Sequence, residues 1–123
     1  MRIIIDTHIF IWALSDPGKL SSKHRQFIET KANVIYLSSI SIAEIMIKKS
    51  LGKLKFNINP LQAAEKSGFE VLDFGAKAAM LLGTLKFHHK DPFDRMLIAQ
   101  SLALNYSIIT NDNKFRIYDC KLV

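Results

Sequence analysis

An uninterrupted apolar run near the start of the chain, ended by a carboxylate, constrains the fold most. Ile3, Ile4 and Ile5 are consecutive β-branched residues, and Asp6 follows them directly. Because the run is apolar at every position, it predicts a strand that is covered on both faces. Asp6 then either lies at the ligand-binding edge of an open α/β sheet or caps the next helix. The run alone leaves both alternatives open.

Strand-like and helix-like segments alternate along the rest of the chain. Strands are predicted at about residues 3–5, 34–37, 69–72 and 107–110, with a last short strand at about 116–118. Helices are predicted at about residues 9–14, 22–30, 40–51, 60–67, 76–85 and 92–104. This order predicts one domain over residues 1–123, of the α/β class, with a mainly parallel sheet between two layers of helices.

Composition limits the class of protein. The 49% hydrophobic content excludes a disordered chain, and no apolar run is long enough for a transmembrane helix. The start of the chain lacks the pattern of a signal peptide, and the single Cys120 fits a reducing compartment. We therefore expect a cytoplasmic protein that does not associate with a membrane. The formal net charge of +6 makes a polyanionic partner plausible.

Four acids fall where this topology would bring them together. Asp6 follows the first strand, Glu44 lies in the first turn of the third predicted helix, and Asp112 follows the fourth strand. Asp94 lies at the start of the helix that runs back to that fourth strand. In a parallel sheet with right-handed crossovers, these four positions share one edge.

Each acid also has a purely structural interpretation. Ser41 and Glu44 have the spacing of a capping box, and Asp94 lies where acids favour the helix dipole. Asp112 stands in a polar turn, and Asp91 is a predicted N-cap of the helix that begins at Pro92. Taken singly, these interpretations are as good as a functional one.

Taken together, the acids favour a metal site. Two carboxylates about 5 Å apart repel each other by roughly 3 kcal/mol at an effective dielectric constant of 20, so four at one edge need a cation. Ligands that are carboxylates only suit Mg²⁺ or Mn²⁺ rather than Zn²⁺. Such ions promote attack of water on phosphodiesters. Several cationic residues near the acids could bind phosphate: Lys48, Lys49, Lys90, Arg95 and Lys114.

Four stretches of the sequence together resemble the PIN-domain family, and its branch of bacterial VapC-type toxins in particular. They are Asp6-Thr7-His8, Ser41 with Glu44, His89-Lys90-Asp91-Pro92-Phe93-Asp94-Arg95-Met96-Leu97-Ile98-Ala99-Gln100, and Ile109-Thr110-Asn111-Asp112. They span essentially the whole chain in order, and the segment 89–95 is the most specific. Asn111 departs from the pattern, because a small residue is commoner before that acid.

The resemblance implies an endoribonuclease that depends on Mg²⁺ or Mn²⁺ and cleaves RNA. It also implies a homodimer and a cognate antitoxin protein that covers the site. The family's catalytic, metal-binding acids carry over to Asp6, Glu44, Asp94 and Asp112, and Thr110 to a hydroxyl near the metal. Three other functions stay open: a nuclease of DNA or of particular nucleic-acid structures, a phosphoacceptor domain, and a binding module without catalysis.

Overall fold

A four-stranded sheet with every neighbouring pair parallel forms the centre of the molecule. The computed structural model describes all residues, Met1–Val123. The strands are β1 (Arg2–Ile5), β2 (Val34–Ser38), β3 (Glu70–Leu72) and β4 (Ser107–Ile109), in the spatial order β3-β2-β1-β4. The parallel sheet between helices confirms the predicted three-layer α/β/α fold.

Six α-helices connect and cover the strands. They are α1 (Thr7–Ser15), α2 (Ser22–Glu29), α3 (Ser39–Ser50), α4 (Pro60–Lys66), α5 (Ala76–Leu81) and α6 (Pro92–Leu104). None of these helices is both long and apolar enough to cross a membrane.

The apolar run at the start of the chain forms an interior strand. β1 pairs with β2 on one side and β4 on the other, and Ile3, Ile4 and Ile5 are fully buried. Ile3 and Ile5 belong to a core cluster on one side of the sheet, whereas Ile4 packs with Leu97 of α6 on the other. The run is therefore apolar at every position because both of its faces are covered.

Two predicted elements are wrong at the carboxyl half of the chain. Residues 113–117 form a 3₁₀ helix rather than a strand reaching 118, because the Asp112 carboxylate accepts from the Lys114 N–H and caps a turn. A bridge between Leu122 and Ile108 occupies the edge of β4 instead. The helix predicted to reach Leu85 ends at Leu81 as α5, and the chain continues in tighter turns through Gly83.

Candidate functional site

The four predicted acids lie together at the carboxyl edge of the sheet. Asp6 directly follows β1, and Asp112 follows β4 after two intervening residues. Asp94 lies in the first turn of α6. Glu44 lies in the second turn of α3 rather than the first, because that helix begins at Ser39. All four line one cavity of about 90 Å³, which we call the acidic pocket.

The acidic pocket has no apolar residue in its wall. Its lining consists of Asp6, Thr7, His8, Glu44, Lys48, Asp91, Asp94 and Asp112. Five of these eight residues are acids, against one lysine, so the pocket holds an excess of carboxylates over basic groups.

Asp6 fulfils both roles that its position in the sequence left open. Its Oδ1 accepts from the Ile9 N–H at 2.8 Å and so caps α1. Its Oδ2 accepts from the Thr110 hydroxyl, which in turn accepts from the Asp112 N–H at 3.0 Å. Burial raises the pKa of the Asp6 carboxyl above its ordinary value. Thr110 therefore ties together the two acids that follow neighbouring strands.

Glu44 is held by side chains of its own helix and of α1. The Thr7 hydroxyl donates to its Oε1 at 2.7 Å, and the Lys48 ammonium donates to its Oε2 at 2.6 Å. The capping box predicted for Ser41 and Glu44 is not formed, because α3 is capped three residues earlier by the Ser38 hydroxyl. Ser41 is buried instead, with its hydroxyl 2.9 Å from that of Thr7.

Burial and like charge both disfavour the ionised form of Asp94. Burial, reinforced by the negative charges of Asp91, Asp112 and other nearby acids, raises its pKa to about 7. Asp91 is the N-cap of α6 as predicted, and its Oδ1 accepts from the Phe93 and Asp94 N–H groups. Asp91 therefore stabilises the helix on which Asp94 stands while its charge destabilises the ionised Asp94.

A buried histidine lies behind Asp94. Nε2 of His89 is 3.5 Å from Oδ2 of Asp94 and has no hydrogen-bond partner. Nδ1 of His89 is 3.0 Å from the Tyr118 hydroxyl, which accepts from Arg95 at 3.1 Å and from the His88 N–H at 3.3 Å. With two donors already directed at its oxygen, Tyr118 has one proton to donate, and His89 Nδ1 is the acceptor. The ring proton of His89 is then on Nε2, directed at Asp94.

The predicted cationic residues divide into two groups. Lys48 lines the acidic pocket, where its contact with Glu44 raises the pKa of its ammonium. Lys49 is exposed on α3 and does not line the pocket. Arg95 is likewise absent from the lining, because its guanidinium donates to the carbonyl oxygens of Leu85 and Lys86.

The carboxylates of the acidic pocket are the type of ligand that binds a divalent cation, but their present positions would not hold one. No three His, Cys, Asp or Glu side chains stand in a mutual arrangement that would hold an ion. The carboxylate oxygens of Asp6 and Glu44 are engaged by hydroxyls, an amide and Lys48. The five carboxyl groups of the pocket nevertheless face a single lysine, so the protein's own cations do not balance their number. Oxygen-only donors with excess negative charge are typical of Mg²⁺ and Mn²⁺ sites.

A second opening adjoins the acidic pocket and was not anticipated from the sequence. It has a volume of about 280 Å³ and is lined by Asp6, His8, Trp12, Asn111 and Asp112. His8 and Trp12 are one helical turn apart on α1, with ring centroids 6.0 Å apart. The sequence did contain a signal for this opening: His8 and Trp12, two aromatic residues shortly after Asp6, are four positions apart and so lie on one face of a helix.

Comparison with known proteins identifies the family of this chain and finds solved structures with a similar fold. The family model described as "PIN domain" matches residues 3–120. No curated protein matches the chain at a significant level.

Solved structures match the fold over nearly the whole chain. A structure of VapBC2 from Rickettsia felis bound to a promoter DNA fragment has a TM-score of 0.77 at 22% identity, covering 100% of this chain and 98% of that one. DNA-bound VapBC from Salmonella typhimurium has a TM-score of 0.72 at 21% identity, covering 100% and 97%. The PIN-domain endonuclease Utp24 has a TM-score of 0.55 at 21% identity, covering 94% and 74%.

Proposed function

The chain belongs to the PIN-domain family, and we propose that it is a metal-dependent endoribonuclease that serves as the toxin of a toxin–antitoxin pair. The observation that carries the proposal is the convergence of Asp6, Glu44, Asp94 and Asp112 on one polar pocket at the edge of a parallel sheet. Ligands bind at this edge in open α/β sheets. Nuclease activity also agrees with the endonuclease among the similar structures.

The four acids would hold the ion and the attacking water. Asp6, Asp94 and Asp112 would bind the ion directly or through its waters, and Thr110 contacts both Asp6 and Asp112. Glu44 contributes to ion binding or orients the attacking water. A bound Mg²⁺ or Mn²⁺ lowers the pKa of water and stabilises negative charge on phosphate oxygens.

Cleavage then proceeds by hydrolysis without a covalent enzyme intermediate. A water oxygen attacks phosphorus and the water gives up one proton. The bond from phosphorus to the leaving ribose oxygen breaks, and that oxygen takes up a proton, so one water is consumed for each bond cleaved. In this proposal Lys48, at the pocket, binds phosphate beside the cut, and Lys49 and Arg95, outside the pocket, bind phosphates farther along the strand. The net charge of +6 supports a polyanionic substrate.

The proposed partners follow from the similar structures and the family resemblance. Those structures include VapBC complexes from two bacteria, which supports an antitoxin that binds this chain and covers the acidic pocket. We further propose a homodimer that acts in the cytoplasm.

The test is cleavage of matched RNA and DNA oligonucleotides with Mg²⁺, with Mn²⁺ and with a chelator. Asp6→Asn should reduce RNA cleavage by at least about 100-fold, more than loss of a residue that only supports a metal ligand usually costs. Asn remains a good helix cap, so the variant should stay folded. Asp16→Asn is the matched control, because Asp16 is exposed and its side chain caps nothing.

Three outcomes would contradict the proposal. Cleavage that continues in chelator would exclude the metal, and full activity in folded Asp6→Asn would exclude the site. Cleavage of DNA in preference to RNA would establish the alternative nuclease.

A further inference from the structure

We propose that the opening lined by His8, Trp12 and Asn111 binds one unpaired nucleobase of the substrate, next to the phosphate that is cleaved. This subsite rests on the proposed function, since it names what the same site recognises. The opening shares Asp6 and Asp112 with the acidic pocket. A nucleotide with its phosphate at the acids therefore places a neighbouring base in this opening.

The first argument is the aromatic surface. Trp12 packs partly against the core cluster below α1 but remains half-exposed, so its indole is both held in place and accessible. His8 is exposed one turn earlier and its ring tilts by 51° from that of Trp12. Every nucleobase has a π face, and stacking on aromatic side chains is the usual way in which unpaired strands are bound.

The second argument is charge. The walls of the opening include Asp6 and Asp112 and no lysine or arginine, so a phosphate seated there, outside the acidic pocket that would hold the ion, would be repelled. A nucleobase is uncharged and meets no such repulsion. The Lys19 ammonium lies 5.8 Å from the centroid of the Trp12 ring, where it is available to the phosphate that follows the base.

The third argument is hydrogen bonding. Asn111 is exposed in the wall of the opening, and its side-chain amide presents both a donor and an acceptor. Paired donors and acceptors on an amide match the edge of a base, as in bidentate readout of adenine. A smaller residue at position 111 would offer no hydrogen bond to a base. We therefore assign the Asn111 amide as a contact to the base edge.

Trp12 provides a direct readout, because it is the only tryptophan in the chain. Wild-type protein is titrated in chelator with an unpaired RNA of about eight nucleotides and with the same sequence as a duplex, and gels confirm that the RNA stays intact. We expect saturable quenching of tryptophan emission by the unpaired RNA and little by the duplex.

The matched variant is Trp12→Leu, which keeps an apolar side chain against the core. Loss of one stacked base should raise the Kd for labelled unpaired RNA by about 5- to 140-fold, measured by fluorescence anisotropy. Trp12→Phe should recover part of the affinity. Tyr106→Leu is the control, because Tyr106 is a half-exposed aromatic that stacks on Tyr36 at the opposite edge of the sheet. Melting curves of each variant establish that it is folded.

The outcomes separate this inference from the proposed function. If wild type cleaves RNA while Trp12→Leu binds it normally, or if duplex quenches as strongly as the unpaired strand, the subsite is wrong and the nuclease remains. If emission is quenched as expected but no variant or wild type cleaves RNA, the nuclease is wrong and the base site remains.

Discussion

Asp94 is the residue at which burial and like charge act together. Its sequence position at the start of a predicted helix gave an equally good structural explanation, namely a favourable contact with the helix dipole. The structure adds the proximity of Asp91, Asp112, Asp6 and Glu44, which act with burial to raise its pKa to about 7. The sequence predicted which acids would lie together. The direction of the pKa shift of Asp94 could not be predicted from the sequence, because it depends on how deeply the carboxyl is buried and how close the other acids are.

The stability of the metal-free protein should depend on pH through Asp94. Its pKa is about 7 when folded and 3.8 in the reference state, so the folded form holds more protons between these values. Stability contributed by this group is therefore fully present below about pH 4 and falls as pH rises to about 7. His89 acts in the opposite direction, because burial lowers its pKa and favours the neutral ring.

Asp94→Asn isolates the contribution of Asp94. In urea unfolding with chelator, the free energy of unfolding of the variant should increase relative to that of wild type as pH rises from 4 to 7. Above pH 7 the difference between the two should be constant. A difference that does not vary with pH would contradict the raised pKa.

His89 lies in the loop before α6, with its ring against Asp94 and Tyr118. Groups that orient a ligating carboxylate commonly affect metal affinity by 10- to 100-fold, and Nε2 of His89 is directed at the Asp94 carboxylate from 3.5 Å, without a hydrogen bond in the metal-free protein. His89→Ala should therefore weaken Mn²⁺ binding by about that factor in calorimetry. His89→Gln, whose amide N–H can replace Nε2–H, should recover most of it.

The readout for His89 is metal binding rather than activity. RNA affinity in chelator should be unchanged in both variants, because neither touches the proposed base site. Equal Mn²⁺ affinity in wild type and His89→Ala would assign His89 to packing alone. A wild type that binds no Mn²⁺ would instead refute the metal site itself.

At the scale of elements, the helices that follow β1 and β4 each begin at an acid of the pocket, Asp6 and Asp112, whereas α3 carries its acid in the second turn. The alternation of periodic segments predicted the helices, but not which hydroxyl caps α3. Ser38 and Ser41 both lie next to the predicted start at Ile40, and both are buried. The Ser38 hydroxyl accepts from the Ile40 N–H and so caps the helix, whereas the Ser41 hydroxyl lies against that of Thr7. Residues 113–117 were misjudged because a short apolar stretch does not distinguish a strand from a 3₁₀ turn.

Substitutions of Asp91 distinguish the stability that its side chain contributes by capping α6 from the effect of its negative charge. Asp91→Asn keeps a cap acceptor while removing a charge that raises the pKa of Asp94, so it should stabilise the metal-free protein at pH 8. Asp91→Ala loses the cap as well, which costs about 1 kcal/mol. Urea unfolding should therefore rank the variants Asn above Ala. An Asn variant less stable than wild type would show that the charge of Asp91 stabilises the pocket, and an Ala variant as stable as Asn would show that the cap contributes nothing.

At the scale of the whole molecule, the sheet order follows from the burial of β1. An interior strand needs partners on both sides, and the crossovers that supply them bring β2 and β4 beside it with all carboxyl ends at one edge. This much could be predicted from Ile3–Ile5 and the alternation of elements. The tight turns after α5 and the Leu122 bridge could not, because they depend on tertiary contacts of the segment 113–123.

Mg²⁺ should stabilise the whole fold. An ion that binds only the folded state at 100 times its Kd adds about 2.7 kcal/mol, which corresponds to roughly 10 °C in Tm for a domain of this size. Thermal melts should show this shift with Mg²⁺ but not with Na⁺ at equal ionic strength. The doubly substituted Asp6→Asn, Asp94→Asn protein is the control and should lose most of it. An equal shift in that control would place the bound ion elsewhere.

Asp6, Asp91 and Asp112 each line the acidic pocket and also accept a hydrogen bond at the start of a helix. A descendant of this chain that had lost all activity would still be under selection at these positions, since Ala or Gly there loosens a helix start. Such a lineage would drift first towards Asn and Ser, which preserve the hydrogen bond without the charge. The presence of these three acids in a relative is therefore weak evidence that it is catalytically active. Asn at two of the three positions would instead identify a relative that has lost catalytic activity.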